Sequence, residues 1–183
     1  KLQAKINKLN TEAIKKGWNA EKLAKKIGNK QERVSGLNTV ISNLAVLEES
    51  AQTYSLNSGA TNNKLSYDAT TGNIVISYSG TALFAHEATH AGQFEIGDIA
   101  FASNGSSLAQ DVYDEVASYK AQWAYNPSSV GGLSSTNQIT ASWVQGIKDP
   151  TSGDQPYKPG GSANTGISSV NVNSTRDELI RAY

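Results

Sequence analysis

The chain has 183 residues, 38% of them hydrophobic, and its 16 basic and 16 acidic side chains balance to zero net charge. That is enough for one sizeable core, while no apolar run approaches the eighteen or so residues needed to span a bilayer. The absence of Cys excludes disulfides, thiolate catalysis and Cys-based zinc sites. The start at Lys1 and the lack of any Met lead to the expectation of a mature or excised fragment, and the first residues lack the pattern of a signal peptide.

Charge is unevenly placed. Residues 1–33 hold ten Lys and Arg against three Glu, and the remainder is correspondingly acidic. In this stretch Leu2, Ile6, Leu9 and Ala13 recur at helical spacing, and Ala20 to Ile27 repeats the pattern after Gly17-Trp18-Asn19. Such a helical arm reads either as lysines coating an apolar stripe or as a basic surface for anionic partners. Nucleic acid is not expected as a substrate, because aromatic residues do not interleave with the basic ones. Val34 to Tyr54 predicts a more apolar helix through Leu37, Ile41, Leu44 and Leu47. Residues 1–56 thus form an N-terminal helical region, followed by a second region over 57–183 that is expected to pack with it as one domain.

After the loop residues Asn57-Ser58-Gly59, the segments Leu65–Asp68 and Asn73–Tyr78 flank Ala69-Thr70-Thr71-Gly72 and predict a β-hairpin. Ser79 or Thr81 is expected to cap a helix running to about Phe94, with Leu83, Phe84, Ala88 and Ala91 packing inward. This helix carries His86-Glu87-Ala88-Thr89-His90, which uses both histidines of the chain. Four residues apart on a helix, the two imidazoles share a face and can share a metal, with Glu87 beside them to handle a proton. Random placement gives this arrangement roughly once in two thousand chains of similar composition, so zinc, one ion per chain, is the expected cofactor.

Zinc in a hydrolase takes three protein ligands and leaves one position open. With no further His and no Cys, the third ligand has to be Asp or Glu. Glu115 is the best placed, on the stretch Asp111–Tyr119, with 24 residues between it and His90 and a turning loop over Gly97–Ser107 among them. Asp111 and Asp114 are its rivals; Glu95 and Asp98 lie too near the first helix. Val112, Val116, Tyr119 and Trp123 form an apolar stripe expected to pack on the motif helix. Further on, Gln138–Ile147 predicts a helix, Asp149–Thr165 a loop able to wall a cleft, Ser168–Val172 a short strand, and Ser174 the cap of a final helix through Arg176, Leu179 and Ile180.

In His86-Glu87-Ala88-Thr89-His90 and in Glu115-Val116-Ala117-Ser118 the chain resembles the gluzincin branch of the zincin metallopeptidases. A weaker likeness, through residues 86–93 and 113–122, is to metallopeptidase domains at the C-termini of bacterial Rhs and polymorphic-toxin proteins. The resemblance covers about residues 65–126. It implies an α+β zincin-like fold, mostly helical, with a small antiparallel sheet ahead of the motif helix. It implies a zinc metalloendopeptidase acting on protein or peptide, secreted or in the cell envelope of a bacterium, the cytoplasm being the alternative. His86, His90 and Glu115 would hold the metal and Glu87 would act as general base. Gluzincins commonly add a downstream His or Tyr that stabilises the oxyanion; here His is excluded, leaving Tyr119, Tyr157, Tyr183 and Arg181 as donors of the right type. Asp111 or Asp114 would orient the imidazoles. The competing readings are a catalytically silent zincin-like binding module and a zinc amidase acting on cell-wall peptide; oligomeric state is open.

Overall fold

A computed structural model describes residues 1–163 and 173–180. The chain is α+β, as expected. Helices α1 (Leu2–Lys16) and α2 (Ala20–Glu49) form a hairpin turned by Gly17 in the left-handed region and by Asn19, whose side chain accepts from the Lys22 amide. The two apolar stretches at Ala20 and Val34 therefore belong to one 30-residue helix that ends at Glu49, short of the expected Tyr54. Nothing between Ile27 and Val34 breaks it: no Pro occurs there, and the one glycine, Gly28, lowers helix propensity without stopping it.

Strand β1 (Tyr54–Ser58) occupies residues that read as helix end and loop. It pairs in parallel with β3 (Asn73–Tyr78), and β2 (Lys64–Asp68) pairs antiparallel with β3's other edge. The hairpin expected before the motif is thus part of a three-stranded mixed sheet in the order β1-β3-β2. Its turn is built as its residues suggest, with the Asp68 carboxylate accepting from Thr70 N at 2.9 Å and Thr71 Oγ1 at 2.8 Å. Leu65, Ile74 and Ile76 point from β2 and β3 onto Phe94, Ala91, Ile99 and Phe101, where each large side chain contributes about 2–3 kcal/mol by leaving water.

Helix α3 (Thr81–Ile96) is central, and every residue from Ala85 to Phe94 is buried. Gly80, with no side-chain cap, begins it, because Ser79 is engaged with the Asn63 side chain instead. Gly92 lets α2 approach closely, since a Cβ there would lie 2.8 Å from the Asn43 side chain. The loop expected over Gly97–Ser107 contains a second hairpin, β4 (Ile99–Phe101) and β5 (Ser107–Ala109), that turns the chain back. Gly105 in its turn has φ +79° and seats its carbonyl on the Tyr67 amide at 2.8 Å; a Cβ would stand 2.2 Å from Tyr67 O. Only glycine fits there.

Helix α4 (Val112–Tyr125) crosses α3 with an orientation that corrects the expected stripe. Val116 and Trp123 pack away from the motif helix, against Val130, Ile139 and Val144 of the segment containing helix α5 (Ala141–Gln145). The face of α4 toward α3 carries the buried Ser118 and Gln122 and the half-buried Glu115, three polar residues that all reach the histidines of α3. The helix predicted over Gln138–Ile147 is limited to α5, preceded by a 3-10 turn at Thr136–Gln138. Residues 149–163 hold no regular helix or strand. Helix α6 (Arg176–Ile180) begins at Thr175, whose hydroxyl accepts from Glu178 N at 3.3 Å while Glu178 accepts from Thr175 N at 2.8 Å. This reciprocal cap uses Thr175 in place of the expected Ser174. The strand expected at 168–172 lies outside the described residues.

Candidate metal centre

His86 and His90 stand one turn apart on α3, and Glu115 faces them from the first turn of α4. The three side chains present ligand atoms within 4.8 Å of one another. The imidazole Nε2 atoms are 3.2 Å apart, and each lies 3.4 Å from a Glu115 oxygen. Tetrahedral bonds of about 2.0–2.1 Å to zinc put neighbouring ligand atoms roughly 3.3–3.4 Å apart, so the three donors already sit at that separation.

The proton arrangement behind the histidines can be followed from the backbone outward. Gln122 Nε2 donates to Ser129 O at 3.1 Å, so its Oε1 is the atom facing His86 Nδ1 at 3.1 Å. Gln93 Nε2 donates to Asp114 O at 3.0 Å, so its Oε1 faces His90 Nδ1 at 2.7 Å, with Ser118 Oγ at 3.2 Å. A carbonyl cannot donate, and a buried amide nitrogen must. Both Nδ1 atoms therefore carry the hydrogen, and in the neutral rings both Nε2 lone pairs converge on one point with the carboxylate. Three electron-rich groups meeting at that distance repel one another unless a cation joins them.

One further observation fits a cation, and the titration of the three groups shows how strongly they are coupled. Glu115 Oε2 is buried without a hydrogen-bond partner, although buried carboxylate oxygens are otherwise satisfied. Burial alone would raise the Glu115 pKa, yet the histidines outweigh it and hold the carboxyl well below its usual range. Burial likewise works to lower the His90 pKa, but the Glu115 carboxylate pushes it up to about 9. This donor set, nitrogen and oxygen without sulfur, suits zinc.

Glu87 is 5% exposed and lies on the wall of a cleft of about 470 Å³ that also reaches His86, His90, Glu115 and Tyr157. Burial raises its pKa, aided by Glu115 and opposed by the histidines and by a hydrogen bond from the Leu65 backbone. The β4–β5 hairpin lines the cleft as well, as do Ser162 and Ala163.

Of the oxyanion candidates, Tyr157 lines the cleft and its hydroxyl is hydrogen-bonded to that of Tyr119. Burial raises the pKa of both, Tyr119 to about 12, so each keeps its proton. Tyr119 packs edge-on against His86 with ring centroids 4.6 Å apart and does not line the cleft. Arg181 and Tyr183 lie outside the described residues. Asp111 and Asp114 do not orient the imidazoles as expected: Asp111 accepts from Tyr113 N at 2.7 Å and Asp114 from Gln110 N at 2.8 Å, together capping α4. Asp114 enters the site through its carbonyl, as the anchor of Gln93. The imidazoles are held by Gln93, Gln122 and Ser118, which sequence reasoning missed. Their spacing held a signal, since Glu115, Ser118 and Gln122 share one helical face and Gln93 follows His90 by three.

No protein-family model, no curated protein and no solved structure matches this chain.

Proposed function

We propose that the chain is a zinc-dependent metallopeptidase of gluzincin type, hydrolysing peptide bonds at the cleft between α3, α4 and the β4–β5 hairpin. The observation that carries this reading is the convergence of His86, His90 and Glu115 one residue from the buried carboxyl of Glu87. Held by those three residues, zinc would polarise a carbonyl and acidify a water molecule. Glu87 takes a proton from the attacking water and delivers it to the nitrogen of the departing amine. Its raised pKa brings it nearer the operating pH, where a group that must both accept and release a proton works best. Tyr157 supplies an O–H at the cleft for the charge that develops on the carbonyl oxygen. Gln93 and Gln122 keep the Nε2 lone pairs aimed inward through their hold on Nδ1. A module that only held metal would have no use for Glu87, whose burial costs free energy.

Metal analysis of the purified protein, followed by cleavage of a mixed peptide library with and without chelator, tests the proposal. One zinc per chain and chelator-sensitive cleavage are expected. Glu87→Gln keeps shape and hydrogen bonding, so zinc content should stay near wild type while cleavage falls by about a hundred-fold or more. A variant that cleaves as fast as the parent would remove Glu87 from the mechanism.

A further inference from the structure

The basic arm takes no part in the cleft. Helix α1 has its substantial packing on α2 alone, and α2 is anchored to the body from Glu32 onward. There Glu32 accepts from Thr136 N at 2.8 Å, and Arg33 donates to the carbonyls of Ala124 and Tyr125 at 2.9 and 2.8 Å, closing the end of α4. The twelve residues from Ala20 to Gln31 therefore carry the hairpin tip beyond that anchor by about 18 Å at the helical rise.

The tip concentrates charge and apolar surface together. Residues 15–26 contain Lys15, Lys16, Lys22, Lys25 and Lys26, all exposed, against the single acid Glu21. Lys16, Lys22 and Lys26 hold their ammonium groups 5.6, 5.4 and 5.0 Å from the ring centre of Trp18 at the turn. Ile14, one turn before it, is 84% exposed. Folding has left a large apolar side chain in water on the same tip as an indole ringed by cations, and the rest of the chain carries the compensating negative charge. In the field of an anionic surface such a molecule orients with the tip forward and the cleft-bearing body away.

We propose that the α1–α2 tip docks on an anionic lipid bilayer, with the lysines at the headgroups and Ile14 and Trp18 at the interface below them. The apolar pair distinguishes a bilayer from nucleic acid. Lysines serve a phosphate backbone equally well, but an exposed Ile gains from an interface into which it can sink. Lysines near an anionic leaflet each strengthen binding by about five-fold, equivalent to about 1 kcal/mol.

The test is flotation of the full chain with vesicles of phosphatidylglycerol or of phosphatidylcholine at about 0.05 M salt, where screening is weak. A DNA duplex at equal phosphate concentration serves as a competitor. Capture is expected on phosphatidylglycerol and not on phosphatidylcholine. Replacing all five tip lysines by Gln should weaken capture by on the order of a hundred-fold or more. Ile14→Asn, at a position too exposed to matter for folding, should weaken it several-fold. Circular dichroism of both variants confirms that the hairpin is intact. Absence of capture on phosphatidylglycerol overturns the proposal, as does capture indifferent to the five lysines. Equal binding of duplex, with Ile14→Asn without effect on either target, would assign the tip to polyanions in general and overturn it too.

Discussion

Two carboxylates, one on each of the central helices, show what separates a structural ion cluster from a site. Glu95, near the end of α3, has every oxygen occupied. It accepts from Ser50 Oγ at 2.7 Å, from the Tyr54 hydroxyl and from Arg176 Nη2 at 3.0 Å, which ties α2, β1 and α6 to one point. Glu115, similarly buried on α4, faces two imidazole nitrogens at 3.4 Å and leaves Oε2 without a hydrogen bond. Both depart from the ordinary carboxylate pKa in the same direction, so the pKa does not tell them apart. What distinguishes them is satisfaction. Hydrogen-bond donors complete Glu95, whereas Glu115 keeps an oxygen that a cation could complete.

The largest expected effect comes from exchanging these roles by mutation. Zinc at about a thousand times its dissociation constant stabilises a folded chain by roughly 4 kcal/mol, or on the order of 10 °C in melting temperature at this size. Glu115→Gln should lose that gain, because two histidines alone hold zinc poorly. Glu95→Gln should keep the gain while melting from a lower baseline. Calorimetric scans with zinc and with chelator decide it; a Glu115→Gln chain that still gains from zinc would deny Glu115 a place among the ligands.

A smaller effect sharpens the comparison one layer further out. Because Gln93 and Gln122 fix the imidazole hydrogens, Gln93→Ala and Gln122→Ala should each weaken zinc binding by about 10–100-fold. Asp111→Ala should instead cost about 1 kcal/mol of stability through the lost cap on α4, with zinc affinity little changed. Competition titration against a chromophoric chelator measures the order. A greater affinity loss at Asp111 than at Gln122 would return the orienting role to the carboxylates.

Legibility from sequence divided along a similar line. The meeting of His86, His90 and Glu115 was legible because a chain with two histidines and no cysteine offers few ways to build a three-ligand set, and a four-residue spacing puts both imidazoles on one face of a helix. The side of α4 that faces α3 was misread, because Val116 and Trp123 looked like the natural contact with the motif helix. They serve the second core around Val144, and the helix–helix contact is made by Glu115, Ser118, Ala121 and Gln122. Apolarity marks burial without naming the partner. Strand β1 was hidden because Tyr54–Ser58 is short and largely exposed, and its parallel pairing with β3 is non-local. Asp111 and Asp114 looked like helpers of the histidines, when their nearer task was the start of their own helix, a use of Asp that capping preference favours.

The smallest effect concerns acid. Burial acts to raise the Glu95 pKa, but hydrogen bonds from Tyr54, Arg176 and Ser50 outweigh it and hold it below the ordinary value. A carboxylate with a depressed folded pKa contributes stability that is complete above its unfolded pKa, about 4.3, and is lost as pH falls through the folded value. Glu95→Gln should therefore cost about 1–3 kcal/mol at neutral pH, as for hydrogen bonds to a charged group. Arg176 is about one-third exposed, so solvent screening places the cost toward the lower end. The gap between wild type and variant should narrow only below the ordinary carboxylate range. Urea denaturation from pH 7 down to about 2, with chelator present so that the metal ligands do not contribute a zinc term, follows that gap directly. If it stays constant through the acid range, the cluster stabilises by packing and neutral hydrogen bonds, and the contrast drawn between Glu95 and Glu115 would have to rest on Oε2 alone.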